Sequence, residues 1–113
     1  MFDLARFDLA VFQDSAARAA ALLRLLGNEK RLMVLCQLAD GELSVGQLQD
    51  SLSGTLGGLS QSALSQHLAL MREQGLLATR REAQTIYYRI TDPAALRVIQ
   101  TSSQAQAMAN AAE

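Results

Sequence analysis

Apolar residues recur at helical spacing along most of the chain, and give way to strict alternation only between residues 77 and 90. The opening segment is amphipathic, with Phe2, Leu4, Phe7, Leu9, Val11 and Phe12, and holds all three phenylalanines. It predicts a short helix or arm packed on the domain or on a partner copy. Its polar face carries more acids than bases, which argues against a helix lying on a membrane. A second helix is expected over residues 14–26, capped by Asp14 or Ser15 and filled with Ala and Leu, until Gly27-Asn28 breaks it. Residues 29–39 predict another, with an apolar stripe at Leu32, Leu35, Cys36 and Ala39 that Asp40-Gly41 ends.

Ser44 and Gln47 have capping-box spacing and open a short helix that buries Val45, Leu48 and Leu52. Residues 53–58 form a loop with three glycines. Ser60 caps the next helix, whose buried positions are Leu64, Leu68 and Met71, and Gly75 suits its left-handed end. Leu77, Thr79 and Arg81 then alternate with Ala78 and Arg80, and Ile86, Tyr88 and Ile90 with Thr85, Tyr87 and Arg89. Two such runs about Glu82-Ala83-Gln84 predict a β-hairpin. Asp92-Pro93 opens a last helix through Leu96 and Ile99, with a fraying Ala-, Ser- and Gln-rich end. The predicted fold is mainly α with a hairpin wing, a winged helix-turn-helix in the order α-α-α-α-β-β-α. Residues 1–13 form an extension and 14–113 the winged helix-turn-helix domain.

A chain of 113 residues has room for one domain, and its modest core would gain from pairing with a second copy. The single cysteine, Cys36, permits no internal disulfide and suits a reducing cytoplasm. No secretory leader is expected, because Asp3, Arg6 and Asp8 interrupt the first apolar residues, and no run is long enough to span a membrane. The net charge of −1 argues against a nucleic-acid partner until its distribution is considered. Residues 60–91 carry Arg72, Arg80, Arg81 and Arg89 against Glu73 and Glu82, so the positive charge gathers in the middle third.

That third also holds the candidate chemistry. Burying Leu64, Leu68 and Met71 turns Gln61, Ser62, Ser65, Gln66 and Ala69 outward. These side chains are small or carry uncharged amides, whereas an ordinary solvated helix face is rich in Glu and Lys. Ser and Gln exchange hydrogen bonds with base edges, and small neighbours let the helix approach the groove closely. The free N–H groups beside Ser60 suit a phosphate. Arg72 follows on the same helix. Arg80, Arg81 and Gln84 near the hairpin tip either meet phosphates or the minor groove, or form a solvated surface. His67 either touches DNA at the edge of this face or packs structurally. No nucleophile–base pair, matched carboxylate cluster or phosphate loop suggests an enzyme, and no cofactor is expected. One histidine without partners at ligand spacing makes no metal site.

The run Leu59-Ser60-Gln61-Ser62-Ala63-Leu64-Ser65-Gln66-His67-Leu68 resembles the recognition helix of ArsR-family repressors. The wing Thr79-Arg80-Arg81-Glu82-Ala83-Gln84-Thr85-Ile86-Tyr87-Tyr88-Arg89-Ile90 resembles theirs, and so do residues 22–37, centred on Asn28-Glu29-Lys30-Arg31-Leu32. The likeness covers about residues 20–99 and is closest to the HlyU-like and BigR-like branch. It implies a repressor that binds double-stranded DNA on a palindromic operator as a homodimer, the two copies meeting through their first and last helices. The alternative is a winged-helix module that has lost DNA binding and holds another protein. Where metal-sensing members carry cysteines in the third-helix motif, this chain has Ser44 and Gly46, so no metal is expected. In the HlyU-like and BigR-like branch a second-helix cysteine pairs with one near the end of the last helix. Cys36 matches the first position, but the region of the second, around Ala107, has none. Cys36 is then either an inert core residue or the site of a one-thiol response.

Overall fold

The structure, a computed structural model, describes residues 9–54 and 59–111. Its elements are α1 (Leu9–Leu26), α2 (Glu29–Leu38), β1 (Leu43–Ser44), α3 (Val45–Leu52), α4 (Gln61–Glu73), β2 (Leu77–Glu82), β3 (Thr85–Ile90) and α5 (Pro93–Ala111). Helix α1 is already formed at Leu9, so Asp14 and Ser15 sit inside it and do not cap it. No Gly or Pro interrupts the stretch, and the weak helix preference of one Asp and one Ser costs less than the alanines and leucines return. The boundary expected at 13/14 therefore falls within a helix. Phe2, Leu4 and Phe7 lie outside the described residues, as does most of the loop at 53–58.

Gly27-Asn28 breaks the chain as expected, and each side of the break is capped. Asn28 Oδ1 accepts from the Arg31 amide at 3.0 Å and starts α2. The Arg31 side chain reaches back, its Nε donating to the Leu25 carbonyl at 2.6 Å and its Nη2 to that of Arg24 at 3.2 Å. A cation thus sits where the dipole of α1 is negative. In α2 the buried arc is Val34, Leu35 and Leu38. Leu32, Cys36 and Ala39 flank it, only half-buried, so the expected stripe is turned and Cys36 is not a core residue. Helix α2 packs against α1, α3, α5 and β3, and the arc these neighbours cover is centred on Val34, Leu35 and Leu38.

The core is formed by Val34, Leu35 and Leu38 with Leu48 and Leu52 of α3, Leu64, Leu68 and Met71 of α4, and Ala95 and Ile99 of α5. Each large aliphatic side chain buried there stabilises the fold by about 2 kcal/mol. Gly75, with φ +82°, ends α4 as expected. Its amide donates to the Arg72 carbonyl at 3.1 Å and that of Leu76 to Met71 at 2.9 Å, the paired bonds of a Schellman motif. The chain passes from there into β2. Strands β2 and β3 pair antiparallel from Leu77↔Ile90 to Glu82↔Thr85, leaving Ala83-Gln84 as a two-residue turn.

Strand β1 was not expected, because two residues are too short for a period. Leu43 and Ser44 pair with Tyr88 and Tyr87, making a three-stranded sheet of order β1-β3-β2 that ties the middle of the hairpin to the helical body. Asp92 Oδ1 accepts from the amides of Ala94 at 2.8 Å and Ala95 at 3.1 Å, with Pro93 first in the helix. Helix α5 then runs through the Ala-, Ser- and Gln-rich stretch to Ala111. Among the described residues no helix is long and apolar enough to cross a membrane.

Candidate nucleic-acid interface

Helix α4 divides as its sequence predicts. Leu64, Leu68 and Met71 are buried, while Gln61, Ser62, Ser65, Gln66 and Ala69 are exposed. The division follows from spacing: residues three, four and seven apart share a face of the helix, and the leucines claim the inner one. Ser60 Oγ is occupied as the cap, accepting from the Ala63 amide at 3.1 Å. The first intrahelical bond runs from the Leu64 amide to the Ser60 carbonyl at 2.9 Å. The amides of Gln61 and Ser62 precede it and point outward, suited to a phosphate oxygen. Arg72 is exposed in the last turn.

Two open clefts flank the start of α3. One is bounded by Val45, Gly46, Gln49, Asp50 and Gln61, between α3 and the start of α4. The other is bounded by Ser44, Val45, Gly46, Gln84, Thr85 and Ile86, between α3 and the wing tip. The N-terminus of α3 therefore borders both the start of α4 and the wing tip. Sequence reasoning missed this part of the site. The signal was present in the Ser44/Gln47 box, which the structure forms in full, with Gln47 N to Ser44 Oγ at 3.1 Å and Ser44 N to Gln47 Oε1 at 2.9 Å. It marks a helix start, and nothing local says what the start faces. Gln49 Nε2 also donates to the Leu59 carbonyl, fixing α3 to the residue that leads into α4.

His67 stands apart from the outward face. It is half-buried at the edge that turns toward the start of α2. Burial lowers its pKa below the ordinary imidazole value, and the charges of Arg31 and Lys30 lower it further.

The two wing arginines are both exposed but differently engaged. Arg81 Nε donates to the carbonyl of Ala83 at 3.1 Å, within its own turn. Arg80 is held by two carboxylates: its Nε donates to Glu42 Oε1 at 3.0 Å, its Nη2 to the same oxygen, and its Nη1 to Glu82 Oε2 at 2.7 Å. Its guanidinium carbon lies 4.6 Å from the centroid of the Tyr87 ring. Gln84 is exposed at the tip. Among the described residues no three His, Cys, Asp or Glu side chains gather as a metal ion would require, and Ser44 and Gly46 serve the cap and first turn of α3.

Three core helices followed by a hairpin, with the third exposing an uncharged polar face, define a winged helix-turn-helix. A family model for bacterial regulatory proteins of the arsR family matches residues 28–79, from the cap of α2 into β2. The transcriptional activator HlyU of Vibrio cholerae is 48% identical over 87 residues, which are 77% of this chain and 76% of that protein. The biofilm growth-associated repressor of Agrobacterium fabrum is 40% identical over 87% of this chain and 80% of its own length. The crystal structure of HlyU from Vibrio vulnificus superposes with a TM-score of 0.76 at 43% identity, covering 87% of this chain and 97% of that one. The chain belongs to the ArsR family of bacterial transcriptional regulators. It is a regulator with a DNA-binding helix-turn-helix, and not an enzyme.

Proposed function

We propose that the protein represses transcription as a homodimer on a two-fold-related operator, reading sequence with Gln61, Ser62, Ser65 and Gln66. The observation that carries this is the outward face of α4, polar and nearly free of charge, on a helix whose opposite face is buried. Ser60 and the first amides of α4 position a phosphate, and Arg72, Arg81 and Gln84 supply backbone contacts on either side. His67, neutral at ordinary pH, borders the reading face without adding charge.

Dimerisation is supported by what the single chain leaves uncovered. Leu23 of α1 is 60% exposed and Leu9 63%, and Val98 of α5 is exposed as well. The Cα radius of gyration is 16.4 Å, against about 13 Å for a compact chain of this length. An elongated protomer with an apolar outer helix is half of something larger. Two copies paired through α1 and α5 would present their α4 helices to successive major grooves about 34 Å apart. No metal enters this reading, because hydroxyl and glycine stand where metal-sensing members place thiolates.

Selection of genomic fragments by the purified protein tests the proposal. Enrichment of a few inverted-repeat sites, confirmed by gel shift, is the expected result. Uniform recovery of all fragments, or of none, would favour the winged-helix module that holds another protein.

A further inference from the structure

The wing contains an arginine that is turned away from the role its position suggests. Arg80 lies beside Arg81 on β2, yet Nε and Nη2 are both committed to Glu42 and Nη1 to Glu82, and one face of the guanidinium lies over Tyr87. Glu42 comes from the link between α2 and β1, 38 residues away, next to the two-residue pairing that anchors β3. The Arg80 hydrogen bond and the nearby charge of Arg89 hold the Glu42 carboxyl below its ordinary value, so it is fully ionised at neutral pH. Exposed ion pairs contribute little to stability. The fold therefore gives no strong reason for two acids on one arginine of a DNA-binding wing.

We propose that Glu42 occupies Arg80 in place of a DNA phosphate, so that the wing presents Arg81 alone to the backbone and sequence-independent attraction is held down. Glu42 is thus a determinant of specificity that acts through Arg80. The two carboxylates take Nε–H and one N–H each of Nη1 and Nη2, so a phosphate would have to displace a carboxylate to be gripped by this guanidinium. Each phosphate contact withheld removes about one unit of salt dependence and an affinity that is the same on every sequence. The ratio of operator to random DNA rises accordingly. This inference rests on the DNA-binding reading above.

The test is the salt dependence of binding to random duplex DNA by the full-length protein. Glu42→Gln, which keeps the shape and loses the charge, is expected to tighten random-DNA binding about tenfold at about 0.1 M salt and to steepen the slope by about one. Adding Arg80→Gln to Glu42→Gln should remove that gain. A gain that survives the double substitution would overturn the proposal, because Glu42 would then merely repel DNA. So would Arg80→Gln alone flattening the slope as far as Arg81→Ala does, since Arg80 would then already touch a phosphate. A second readout needs no DNA: the Arg80 Nε–H should exchange with water more slowly in the free wild-type protein than in Glu42→Gln, and equal rates would contradict the clamp. Absence of any salt-dependent duplex binding by the wild type would contradict the DNA reading instead, leaving the exchange rates to decide on the clamp.

Discussion

Among the described residues Ala83 is the only one other than glycine with a positive φ, at +56°. It is the first central residue of a two-residue hairpin turn, where the twist of the strands demands that sign and glycine bears it best. An L-residue there costs about 1–2 kcal/mol, and glycine gives back about 0.4–1 kcal/mol through its freer unfolded chain. Ala83→Gly should therefore leave the protein slightly more stable, by up to about 1 kcal/mol, in urea unfolding. A loss of stability would mean that the turn is not strained. His67 makes the second prediction at this scale. Its folded pKa lies below the ordinary value of 6.5, so folding favours the neutral ring. The associated stability is whole above that value and is lost as pH falls through it toward the folded one. Glu42, whose pKa is also lowered, acts in a separate window, losing its contribution as pH falls below about 4.5. The urea midpoint should thus fall between about pH 7 and about pH 5 in the wild type and fall less in His67→Gln. Equal falls would remove His67 from the account. The sequence offered His67 as an edge or a packing residue, but neither its lowered pKa nor the positive φ of Ala83 was legible there. Nor was the Glu42–Arg80 pair, because contact across 38 residues leaves no local pattern.

Elements were far more legible than contacts. Helix ends that depend on a side chain one to three residues away were read directly: Ser44, Ser60 and Asp92 all cap as their spacing implies, and Gly75 takes the left-handed turn. The burial of α4 was legible because one helix face is set by period alone. The start of α1 was not, since a competent cap at Asp14 signals an end only where the preceding residues disfavour a helix, and Leu9 to Gln13 do not. Strand β1 is too short to carry a pattern, and Cys36 was misplaced because two apolar arcs of α2 overlap and only the packing of α1, α3, α5 and β3 selects between them. The Ser44 box lets this scale be tested. Ser44→Ala should destabilise the protein by about 1 kcal/mol through loss of the cap. It should also weaken binding to operator DNA, because the start of α3 borders both α4 and the wing tip. An unchanged unfolding midpoint would show that the cap does not hold α3 in place.

The whole molecule is where sequence says least, since a single chain does not display its partner. What it does display, among the described residues, is an α1 with Leu9 and Leu23 exposed, in a protomer longer than its size requires. Leu23→Glu should shift sedimentation at micromolar concentration from dimer toward monomer and weaken operator binding together. A wild-type protein that is monomeric at that concentration yet binds its operator fully would contradict the dimer. Relatives named an activator and a repressor share this architecture. Both names are those of transcriptional regulators, and the proposal for this chain is that the polar face of α4 reads the DNA. The measurement that tests it most directly is the affinity of wild type and Gln66→Ala for the selected operator and for random duplex at one salt concentration. The account predicts a loss of about 1–3 kcal/mol on the operator and a much smaller one on random DNA. Equal losses on both, or none on either, would show that α4 does not read the sequence.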